Sequence, residues 1–74
     1  MEELLQHLKE IRDDVDFENE TELIDGKILT SFDIIQIIAM LDDEYDIAIP
    51  AVEIVPKNFN SAGAILELID RLKG

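Results

Sequence analysis

The chain has 74 residues, room for one small domain that buries only about 60% of the surface its unfolded form exposes. It is 47% apolar and 32% charged, which reads as globular, and without cysteine it has no disulfides, thiolate metal sites or thiol nucleophile. Eighteen acidic residues against six basic ones give a formal charge of -12, a field that repels nucleic acid and anionic membranes and attracts basic protein surfaces.

A single histidine, His7, argues against a histidine-rich metal centre or a catalytic triad. An enzyme with its own pocket is therefore not expected in so short a chain. The first residues are acidic and amphipathic, unlike a secretory signal, and the longest uncharged apolar run, Ile34 to Leu41, is too short to span a bilayer. A soluble cytoplasmic protein, acting as a monomer, is the expectation.

Leu4, Leu5, Leu8, Ile11 and Val15 follow a three-four spacing and predict a first helix over residues 2 to 15. His7 reads as a solvated residue on it. Asp13 to Asp25 holds seven acids and no base, and reads as an ordered surface loop pinned by Leu23 or Ile24 and Ile28. Gly26 marks a turn. Asp25-Gly26-Lys27 looks like the middle of an EF-hand loop. With Gly26 at the sixth position, however, Leu23 and Phe32 fall where oxygen ligands are needed.

Thr30 has Asp33 three positions on, the capping-box spacing, and so predicts a helix start. Ile34, Ile38, Leu41 and Tyr45 then share one face as its core stripe. Phe32, Ile35 and Ala39 form a second stripe, closed by Asp42 and Asp43 and flanked by Asp33. That stripe is either a second covered side of a central helix or a docking face rimmed by acids. Ser31 has two readings as well. It is a helix cap, or it is a hydroxyl that carries a phosphate-linked group beside the positive end of the helix dipole. No neighbouring residue could activate it, so another enzyme would have to install such a group.

Residues 51 to 59 have room for one short helical turn before Pro56. Asn60 or Ser61 then caps a last helix with a core stripe of Ile65, Leu68, Ile69 and Leu72. Arg71 and Lys73 suit its C-terminal dipole, and Gly74 stops it. The sum is an all-α four-helix bundle: three main helices, a short third helix and a long first loop.

Thr30-Ser31-Phe32-Asp33, the apolar helix behind it, Asp42-Asp43-Glu44-Tyr45-Asp46 and Ile49-Pro50 together resemble the acyl carrier protein family. The resemblance runs over essentially the whole chain. The tract from Pro50 through Glu53-Ile54 to Asn58-Phe59-Asn60-Ser61 looks particularly like the D-alanyl carrier branch. It implies that Ser31 receives 4′-phosphopantetheine from coenzyme A through a separate Mg²⁺-dependent phosphopantetheinyl transferase, the holo-carrier synthase. The arm's thiol then holds an acyl or aminoacyl group as a thioester.

The family's recognition helix matches residues 31 to 45, placing its partner contacts on Asp33, Ile35, Gln36, Ala39, Asp42 and Asp43, with Phe32 beside them. The implied partners are the synthase and the acyl- or aminoacyl-loading and accepting enzymes, with basic docking surfaces. Thr30 stands where the family has Asp, and Phe32 where it has Leu. The competing expectation is an unmodified acidic helical interaction module that uses the same helix.

Overall fold

The computed structural model describes residues 1–73; Gly74, read above as the stop of the last helix, lies outside them. Four helices form the bundle: α1 (Glu2–Ile11), α2 (Ser31–Tyr45), the single-turn α3 (Pro56–Phe59) and α4 (Ala62–Lys73). A 3₁₀ turn, Ala51–Glu53, precedes α3. There is no strand among the described residues, and no helix long and apolar enough to cross a membrane.

The first helix ends earlier than its apolar period suggests. Arg12 leaves α1 with φ -139° and ψ 98°, so Val15 reaches the core from the loop instead of from a helical face. The departure has a cause in the Arg12 side chain, which pairs with Asp14 beside it and with Asp33 at the start of α2.

Residues 12–30 cross the bundle with their own anchors. Val15, Phe17, Leu23 and Leu29 are all buried, so the loop contributes four side chains to the core. Leu23 was an expected pin; Ile24 and Ile28 only half-bury beside it. Asn60 latches this loop to the other side of the molecule. Its carbonyl accepts from Leu23 N–H (2.9 Å), and its side-chain Oδ1 accepts from Ile24 and Asp25 N–H, each at 3.0 Å. At the turn, a Cβ on residue 26 would stand 2.6 Å from the Glu22 carbonyl oxygen, so only glycine fits.

The buried line of α2 is rotated from the expected one. Ile37 and Leu41 are fully buried and Asp33 lies in line with them, whereas Ile34, Ile38 and Tyr45 are half-buried flanks. These residues meet Leu4 and Leu8 of α1, Phe59 of α3, and Ile65, Leu68 and Ile69 of α4 in one core. Leu72, expected in the α4 stripe, is partly buried at its edge.

The region around Pro56 also differs from expectation. The turn before it is 3₁₀, and the short helix begins at Pro56 itself, the helical position where a missing N–H costs nothing. Buried Asn58 donates to the Glu53 carbonyl oxygen at 2.7 Å and accepts from Arg71 of α4 at 3.3 Å, tying turn to helix. Ser61, the second of the two expected caps, accepts from Ala64 N–H at 3.0 Å and starts α4. Asn60 is free to serve the loop because Ser61 does this.

Candidate functional site

Thr30 is the N-cap of α2, with φ -92° and ψ 171°. Its Oγ1 accepts from Asp33 N–H at 3.2 Å, and Asp33 Oδ2 accepts from Thr30 N–H at 2.9 Å, a reciprocal pair that satisfies two otherwise unpartnered donors. This removes the cap reading of the neighbouring serine. The cap is Thr30. Ser31 is the first helical residue, exposed, and its hydroxyl makes no hydrogen bond to the described residues.

The helix geometry leaves the N–H groups of Ser31 and Phe32 without an intrahelical acceptor. A phosphodiester on the Ser31 oxygen would therefore meet free donors and the positive end of a helix dipole, with nothing folded over it.

Asp33 is turned inward. Its side chain is 9% exposed, and Arg12 Nη1 lies 2.6 Å from Oδ2. The same guanidinium donates to both oxygens of Asp14 at 2.8 Å and to the Ile28 carbonyl at 3.3 Å. The Thr30 N–H holds the Asp33 carboxyl below its ordinary range; partial burial opposes this and Arg12 reinforces it. Asp14 is lowered to about 2 by its hydrogen bonds from Arg12 and from the backbone.

The other expected contact residues remain on the surface. Phe32 is 67% exposed and Ile35 64%, with Ala39, Asp42 and Asp43 also exposed and Gln36 half-buried. Phe32, Ile35, Ala39 and Asp42 succeed one another at three- and four-residue steps, so they form one ridge along α2. Asp33 has left that rim, which makes the Ser31 end of the ridge apolar and its far end acidic. Sequence reasoning saw Asp33 correctly as a cap partner, but the ion pair with Arg12 needed the fold.

Two features were not foreseen. Ile24, Ile34, Ile54, Val55, Pro56 and Phe59 line an apolar cavity of about 140 Å³ between the first loop, α2 and α3. His7 is not solvated: its side chain is 19% exposed, and its ring meets Tyr45 edge-on with centroids 6.3 Å apart. Burial, with Glu3 and Glu44 nearby, pushes the Tyr45 phenol up. This pair joins α1 to the C-terminal end of α2, opposite the end that carries Ser31. Comparison with protein-family models, with curated proteins and with solved structures finds no match for this chain.

Proposed function

We propose that this protein is an acyl or aminoacyl carrier that bears its cargo on a 4′-phosphopantetheine arm at Ser31. The observation that carries the reading is the free, exposed Ser31 hydroxyl on the first turn of a helix already capped by its neighbour Thr30. In arm addition the Ser31 oxygen attacks the coenzyme A phosphorus that bears the pantetheine. The new P–O bond forms as the pyrophosphate bond breaks, 3′,5′-ADP leaves, and the hydroxyl proton passes to a base on the synthase. That base comes from outside because His7 sits beside Tyr45, at the other end of α2. Once attached, the arm supplies the thiol that this cysteine-free chain lacks and holds the cargo as a thioester. The apolar cavity beside Ile34 offers a small apolar group a place out of water.

Intact mass provides the test. Incubation with coenzyme A, Mg²⁺ and a broad-specificity synthase is expected to add one arm per chain, and Ser31→Ala to abolish the addition. Because Thr30 is the cap, Ser31→Ala should cost less than about 1 kcal/mol. An adduct that persists in the variant, or none with any of several synthases, overturns the reading.

The α2 ridge is the docking face in this proposal, apolar near Ser31 and acidic at Asp42 and Asp43. Asp42→Lys with Asp43→Lys should slow association with the synthase and weaken its dependence on salt, while dissociation changes little. Stopped-flow association rates at several salt concentrations check this. The second reading is an unmodified interaction module using the same ridge, and Thr30 in place of the family's Asp favours it. Protein from its native host with no arm on Ser31 would support that module.

A further inference from the structure

Arg12 lies far from Ser31 in sequence, yet it holds the carboxylate on which the Ser31 turn is built. Four of its N–H contacts are committed: two to Asp14, one to Asp33 and one to the Ile28 carbonyl. One guanidinium thereby joins the segment leaving α1, the segment entering α2 and the first turn of α2. Asp33 Oδ2 is the shared point, accepting both from Arg12 and from Thr30 N–H.

There is also a charge consequence. Asp33 is the only carboxylate between Lys27 and Asp42, and coenzyme A approaches Ser31 with anionic phosphates. Left unpaired, that carboxylate would repel the incoming phosphate and lose its fixed orientation in a mostly buried position. No other cation is within salt-bridge distance of it among the described residues.

We propose that Arg12 is the positioning residue for arm addition at Ser31, acting through Asp33 and the Thr30 cap. This rests on the carrier reading and adds a device to it: a charge just past the end of α1 sets the reactivity of a hydroxyl on α2. A lysine is a poor substitute, since a point charge cannot reach Asp14, Asp33 and Ile28 together as the planar fork does.

The test measures synthase kinetics and amide hydrogen exchange on the whole chain. Arg12→Gln should lower kcat for arm addition about ten- to a hundredfold while KM for the carrier changes little, because the docking ridge is intact. Arg12→Lys should fall between it and the wild type. Asp33→Asn in the Arg12→Gln background removes the stranded charge yet leaves an oxygen for Thr30 N–H, and should restore most of the rate. Independently of activity, Arg12→Gln should speed exchange at the Thr30, Asp33 and Ile34 amides and leave those of α4 unchanged.

Wild-type kcat together with wild-type exchange at these three amides overturns the role of Arg12. So does a loss of rate that only tracks global unfolding, with the α4 amides exchanging equally fast. A wild-type protein that takes no arm at all overturns the carrier reading instead, which separates the two failures.

Discussion

Ile37→Ala is expected to cost about 2–5 kcal/mol, whereas Ile35→Ala, two residues away, should leave stability nearly unchanged. Ile37 is fully buried against the other helices and Ile35 is 64% exposed, so only the first substitution opens a cavity. A domain of this length has roughly 4–11 kcal/mol of stability in total, and Ile37→Ala removes a large share of it. Urea denaturation of the two variants measures the contrast. Synthase binding should invert it: Ile35→Ala weakens binding by the folded protein, and Ile37→Ala lowers binding only by lowering the folded fraction. If Ile35→Ala unfolds the domain as badly as Ile37→Ala and its folded fraction binds normally, Ile35 belongs to the core and the docking ridge is wrong.

Phe17→Ala should be as damaging, at about 3–5 kcal/mol, although it lies in the most acidic stretch of the chain. Phe17 is 1% exposed and shares the core with Leu4, Leu8, Leu23 and the α4 residues. A connection this long normally carries a large ordering cost, and one without anchors would be a liability in so small a domain. Here four buried side chains and the Asn60 latch offset that cost. Loss of Phe17 should therefore lower global stability and also expose the Leu23 amide, which donates to Asn60, to faster exchange. A cost under about 1 kcal/mol, with Leu23 still protected, would mean that the latch and the remaining side chains hold the loop without it. The consequence reaches the proposed site, because the loop delivers Leu29 and the Ile28 carbonyl to the base of α2.

Short-range chemistry was legible in the sequence. The Thr30 and Asp33 spacing closes within one helical turn, so a capping box could be expected before any tertiary contact was known, and for α4 a cap could be expected at Asn60 or Ser61, between which the fold chose Ser61. The second apolar stripe of Phe32, Ile35 and Ala39 was legible too, since apolar residues beyond one face's worth on a single helix must be covered or offered, but its exposure came only with the fold. Which face of α2 would be covered was not. Ile34, Ile35, Ile37 and Ile38 surround the axis with similar side chains, and periodicity has no preference among nearly equal isoleucines. The packing of α1, α3 and α4 chose the line through Ile37 and Leu41. Tertiary structure alone likewise decided the end of α1, where continued apolar period through Val15 yielded to the pairing of Arg12 with Asp14 and Asp33. Asp33 shows the division most plainly. Its role as a cap is set by a neighbour three residues away, and its removal from the acidic rim is set by a guanidinium in the segment that leaves α1, which no local pattern encodes.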